Sequence, residues 1–145
     1  KDGAKLVHAV ANSVVSKFTV IVANSYGAGN YATCGKAYDP RFIVAWPTAR
    51  IAVMGGEQAA KVLQQIEVAR LVKAGEPIDE GKQSELLKKI EARYEEQTQP
   101  EYAASRLWVD AIIDPEATRS WISMGVEVAN ESPSEKPFRP GVMQT

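Results

Sequence analysis

Gly27-Ala28-Gly29 stands where a buried strand runs towards a helix. Small residues at such a point let the backbone bend tightly and let a ligand approach the main-chain N–H groups. Upstream, Phe18–Ala23 is short, apolar and rich in β-branched residues, the pattern of a buried strand. It leads through Asn24-Ser25-Tyr26 into the turn, and Asn30–Gly35 then reads as a short helix with Gly35 near its end. N–H groups at a helix N-terminus favour negative charge, so a phosphate or a developing oxyanion suits them. A plain strand–turn–helix without ligand fits the same residues.

The rest of the chain repeats the alternation of strand and helix. Gly3–Ser13 places Ala4, Leu6, Val7, Val10 and Ala11 near helical spacing, while Phe42–Trp46 reads as a second strand. Pro47-Thr48 makes a corner, Ala49–Met54 a third strand, and Gly55-Gly56 opens a longer helix from Glu57 to about Lys73, with Gly75 and Pro77 past its end. Ala59, Val62, Leu63, Ile66, Ala69 and Leu71 form the apolar stripe of that helix. Ser84–Gln97 reads as a charged amphipathic helix capped by Ser84, with Leu86, Leu87, Ile90 and Tyr94 on the packed face. Pro100–Leu107 is helical, Val109–Ile113 a short strand, and Asp114-Pro115-Glu116 starts a last helix to about Asn130. From about residue 131 the chain, with Pro133, Pro137 and Pro140, reads as irregular. The alternation predicts an α/β or layered α+β domain over residues 1–145, with a first helix that starts inside the domain.

A formal net charge of −1 gives no electrostatic footprint for nucleic acid or an anionic membrane. The longest apolar runs are too short to cross a bilayer, and no signal peptide is visible. The single Cys34 cannot form an internal disulfide, which fits a reducing compartment, and it reads as a small buried residue. One histidine, His8, and one cysteine make no metal set. Trp46, Trp108 and Trp121 read as core or interface anchors.

Gly27-Ala28-Gly29-Asn30-Tyr31-Ala32 also fits the G-x-G-x-x-A fingerprint of dinucleotide binders. That fingerprint wants an acidic residue roughly 20 positions on, where this chain has Pro47-Thr48-Ala49-Arg50. The second glycine pair, Gly55-Gly56, offers either more N–H donors or close backbone packing at a strand-to-helix corner. A scaffold reading, in which the two long helices serve only assembly, uses no turn at all.

Longer matches carry a resemblance. Asn24 through Tyr31, Cys34-Gly35-Lys36-Ala37-Tyr38, Pro40-Arg41-Phe42, Trp46-Pro47, Arg50 through Ala60, Ala104 through Pro115 and Thr118-Arg119 resemble the carboxyltransferase (β) subunits of biotin-dependent acyl-CoA carboxylases, of the methylcrotonyl-CoA type. The resemblance implies an α/β, crotonase-like fold of repeated ββα units, with this chain as the later part of the C-terminal domain. It implies homo-oligomers with the active site between subunits, the other domain binding acyl-CoA and this one the biotin of a biotin carboxylase/biotin carrier partner. It also implies carboxyl transfer in which main-chain N–H groups stabilise the ureido oxyanion of biotin, which itself serves as base.

On that basis the N–H groups of Ala28 and Gly29 are the catalytic candidates. Gly27, Tyr26, Tyr31, Gly55 and Gly56 fall on the biotin side, with Trp46-Pro47 as supporting positions. Tyr31 stands where propionyl-type relatives carry aspartate, which moves substrate choice away from short saturated acyl groups. The Val142-Met143-Gln144-Thr145 ending departs from the methylcrotonyl pattern. Methylcrotonyl-CoA, geranyl-CoA, another branched enoyl-CoA or a glutaconyl-type decarboxylation stay open. The implied compartment is bacterial cytoplasm or mitochondrial matrix.

Overall fold

Strand β3 (Phe42–Ala45) has all four side chains buried, so both of its faces are covered. The cause is its place at the centre of a three-stranded parallel sheet, between β1 (Phe18–Ile21) and β5 (Ala111–Ile112). Strands buried on both faces are near-continuous hydrophobic runs, as Phe-Ile-Val-Ala is. Ile43 and Ala45 join Ile21, Ala49, Ile51, Ala103 and Val109 in one cluster. Phe42 and Val44 join Ile113 in the other, which Phe18, Val20, Trp46 and Trp121 pack against. Full burial of Ile43 and Val44 contributes about 1.5–3 kcal/mol each.

The structure, a computed structural model, describes residues 2–75 and 80–131. Before the sheet comes helix α1 (Asp2–Asn12), none of whose residues is buried. Two segments then follow the same course: β1, a short strand β2 (Asn24–Tyr26) and helix α2 (Gly27–Ala32); next β3, strand β4 (Arg50–Ala52) and helix α3 (Gly56–Ala74). β2 and β4 pair in parallel as a second, two-stranded sheet. The ββα units that the resemblance implied are therefore present. Helix α4 (Glu80–Thr98) packs along α3, and α5 (Pro100–Ser105) buries Pro100 and Ala103. A 3-10 turn (Pro115–Ala117) leads into α6 (Thr118–Glu131). A Cβ on Gly125 of α6 would stand 2.6 Å from the Phe42 ring and 3.0 Å from that of Phe18, which is how closely this helix sits on the sheet.

Several sequence expectations are corrected. Asn24-Ser25-Tyr26 is a strand rather than a connecting turn, and the helix expected over Asn30–Gly35 begins at Gly27. The third strand is only Arg50–Ala52 and lies in the second sheet. Ser84 is not the cap of α4, which already runs from Glu80. The stripe assigned to α3 is buried only at Ala59, while Val62, Leu63 and Ile66 are 41%, 43% and 60% exposed. Pro77 and the irregular segment from about 131, with its Val142–Thr145 ending, lie outside the described residues.

Candidate functional site

Parallel pairing of Asn24 with Arg50, Ser25 with Ile51 and Tyr26 with Ala52 brings two strand ends to one edge. Both chains turn there, β2 into α2 at Gly27 and β4 through Val53-Met54 into α3 at Gly55-Gly56. In open α/β sheets the carboxyl ends of parallel strands are where ligands bind.

Gly27 adopts φ +54, and a Cβ placed on it would stand 2.8 Å from the Val53 carbonyl oxygen. The two turns are thus in backbone contact, and the first demands glycine on both counts. Gly27, Ala28 and Gly29 occupy the first turn of α2, where an α-helix supplies its own N–H groups with no acceptor. Tyr26 is the cap residue and makes no side-chain capping bond; its hydroxyl instead donates to Asn24 Oδ1 at 3.3 Å. Ala28 and Gly29 are exposed, and none of the described residues lies within 4 Å of where a Gly29 Cβ would be. Tyr31, one helical turn on, is 55% exposed. Ala28, Gly29 and Tyr31 thus border open space, while Tyr26 and Gly27 are half-buried beneath them.

The second turn is built differently. Gly55 caps α3 in extended backbone at φ −63, and Gly56 faces the Tyr94 ring, 3.5 Å from a Cβ placed there. Glu57 stands in the first turn of α3, where the Lys61 ammonium, 2.6 Å away, holds its carboxyl below the usual carboxylate range. The first turn of α3 is thus already occupied by a carboxylate paired with Lys61, whereas α2 has no acidic residue in its first turn. From α4, the Tyr94 hydroxyl donates to the Met54 carbonyl at 2.7 Å and accepts the Met54 N–H at 3.3 Å. Arg50 Nε lies 3.5 Å from Glu95 on the same helix.

Other sequence candidates lie elsewhere. Trp46 closes the first sheet: its indole N–H donates to Thr118 of α6 at 2.9 Å, while Pro47 is exposed at the corner beyond. Cys34 is buried, and its carbonyl accepts the Thr19 hydroxyl at 2.8 Å. His8 bonds within α1, where Asn12 Nδ2 lies 3.1 Å from its Nδ1. Among the described residues no three His, Cys, Asp or Glu side chains gather into a metal-binding group. No described helix is long and apolar enough to cross a membrane. Sequence reading missed the strand β2 and the bond from Tyr94 to Met54. A tripeptide carries too little pattern to mark a strand, but a tyrosine on the packed face of a helix signals a phenol in need of a partner.

Two parallel strand ends carrying glycine turns close two repeated ββα units. A family model described as the carboxyl transferase domain matches residues 1–141. The chain is 46% identical over 136 residues to the biotin-dependent 3-methylcrotonyl-coenzyme A carboxylase beta1 subunit of Mycobacterium tuberculosis, covering 94% of this chain and 26% of that protein. It is 46% identical over 139 residues to the probable mitochondrial methylcrotonoyl-CoA carboxylase beta chain of Drosophila melanogaster, covering 95% and 24%. Among solved structures, the transcarboxylase 12S hexamer with hydrolysed methylmalonyl-coenzyme A bound matches with TM-score 0.78 and 30% identity, over 99% of this chain and 26% of that one. The chain belongs to the carboxyl transferase domain family, a family of enzymes, and has its crotonase-like fold. It spans about a quarter of the length of the relatives named here.

The helix after the first glycine turn has six residues and follows a strand of the two-stranded sheet. That is not the first βα crossover of a dinucleotide-binding sheet, so the G-x-G-x-x-A match carries no cofactor assignment.

Proposed function

We propose that this chain is the biotin side of a carboxyltransferase that moves a carboxyl group from carboxybiotin to an acyl-CoA, 3-methylcrotonyl-CoA in the first instance. The observation that carries the reading is the α2 turn: Ala28 and Gly29 exposed in the first turn, no side-chain cap, no acidic neighbour in the first turn, and open space beside Gly29. When bound, biotin supplies the carboxyl carrier and the base. The chain's own part is to aim the Ala28 and Gly29 N–H groups at the ureido oxygen and stabilise the negative charge it gains. Gly27 allows that aim, Tyr26 and Tyr31 flank it, and Gly55 and Gly56 hold the neighbouring turn.

No described side chain here need act as acid or base. Substrate choice rests on two relatives at 46% identity whose names specify methylcrotonyl-CoA, and on Tyr31 where aspartate would mark propionyl-type enzymes. The biotin arrives on a biotin carboxylase/biotin carrier partner. A second copy of the subunit supplies the acyl-CoA side, in keeping with the exposed apolar side chains that α1 and α3 leave uncovered. The enzyme works in bacterial cytoplasm or mitochondrial matrix.

The test is carboxyl transfer by the complete subunit, given carboxylated carrier and a panel of acyl-CoAs. Product with 3-methylcrotonyl-CoA is expected. Product with geranyl-CoA instead would move the substrate. Acyl-CoA decarboxylation without net carboxylation would reassign the enzyme, and silence from assembled protein across the panel would leave the scaffold reading standing.

A further inference from the structure

We infer that Tyr94 is a positioning residue for the two-turn site, acting through Met54; the inference rests on the carboxyltransferase reading above. Tyr94 lies on α4, in a different helix from either turn, and reaches 40 residues back along the chain. Its hydroxyl engages both polar backbone groups of Met54, donating to the carbonyl at 2.7 Å and accepting the N–H at 3.3 Å. Met54 lies between the two contacts that define the site. On one side, the Val53 carbonyl stands 2.8 Å from the space a Gly27 Cβ would need. On the other, Gly55-Gly56 begins α3, and the Tyr94 ring lies 3.5 Å from the Cβ position of Gly56.

The Met54 N–H belongs to the Val53–Met54 peptide and its C=O to the Met54–Gly55 peptide, so one phenol restrains two successive peptide planes, and the Val53 carbonyl in the first of them is held against Gly27. The Gly27 turn in turn sets the direction of the Ala28 and Gly29 N–H groups. Met54 lies beyond the end of β4 at Ala52, so the ladder of β2 and β4 does not fix it. The ion pair of Arg50 with Glu95 ties the same strand to the same helix, at a half-exposed arginine where such pairs are worth little.

The experiment is Tyr94→Phe in the complete subunit assembled with its biotin-carrying partner, read in two ways. Amide hydrogen exchange should accelerate about tenfold at Ala59 and Thr33, whose N–H groups donate to the Gly55 and Gly29 carbonyls of the two turns, while the β3 amides keep their protection. In carboxyl transfer, kcat and the KM for the carboxylated carrier should worsen together by about tenfold in kcat/KM, with the KM for acyl-CoA unchanged. Unchanged exchange at both turns would overturn the inference, whatever the activity. A fall in kcat alone at unchanged exchange, or equal damage to both substrates with loss of β3 protection, would likewise reduce Tyr94 to a packing residue. Absence of transfer in the unsubstituted enzyme would instead strike at the carboxyltransferase reading, and the exchange data would still decide the clamp.

Discussion

The two glycine turns look alike in sequence, each following a strand and opening a helix, yet they obey different physics. The first is a conformational necessity: Gly27 has φ +54 and abuts the Val53 carbonyl. The second is not, because Gly55 sits at φ −63 in backbone any residue adopts, with only the Tyr26 ring 3.9 Å from its Cβ position. Their electrostatics differ too. α2 opens without an acidic residue, whereas α3 opens with Glu57, whose carboxyl Lys61 holds below the usual carboxylate range. On the proposed mechanism the first turn is the one that suits a developing negative charge, and the second braces it.

Substitutions can break or sharpen that contrast. Gly27→Ala should cost the most, about 2–4 kcal/mol in denaturant unfolding, from left-handed strain plus the clash with Val53. A loss below about 1 kcal/mol would mean that the turn relaxes and that the contact with Val53 is soft. Gly29→Val separates site from scaffold. Its Cβ meets nothing among the described residues, so stability should hold within about 0.5 kcal/mol, while the branched side chain fills the open space and turnover falls about 100-fold or more. Activity that survives Gly29→Val would sink the oxyanion role. Tyr94→Phe comes next, with the tenfold effects given above. Gly55→Ala should be smallest, within about 0.5 kcal/mol by thermal unfolding; a penalty equal to that of Gly27→Ala would erase the distinction between the turns.

The sequence made the main strands and the glycine turn legible because their signals are local. Phe-Ile-Val-Ala is a buried strand by composition, and Gly27-Ala28-Gly29 is a turn by sterics. Asn24–Tyr26 escaped notice because three polar or aromatic residues become a strand only through pairing with Arg50–Ala52, a tertiary fact. For the same reason the adjacency of the two turns was invisible, and with it the contact of Gly27 with Val53. The α3 stripe misled in the opposite direction. Val62, Leu63 and Ile66 have the spacing of a packed face, but the described residues leave them largely exposed. Periodicity reports that a face wants cover and is silent on whether the same stretch of chain supplies it. The family resemblance reached further than local signals because it drew on long composite matches across most of the chain.

Asp110 has a consequence for how the chain is tied together. Its carboxylate accepts the Ile43 N–H at 2.7 Å and its own N–H donates to the Ile43 carbonyl at 2.8 Å, across a separation of 67 residues. The loop so closed contains α3 and α4, which pack on each other. Loop closure grows costlier only with the logarithm of loop length, but a preformed helical hairpin shortens the path to be ordered still further. The hairpin therefore joins β3 to β5 by packed helices rather than by free chain, and Asp110 latches the point where that excursion returns to the sheet.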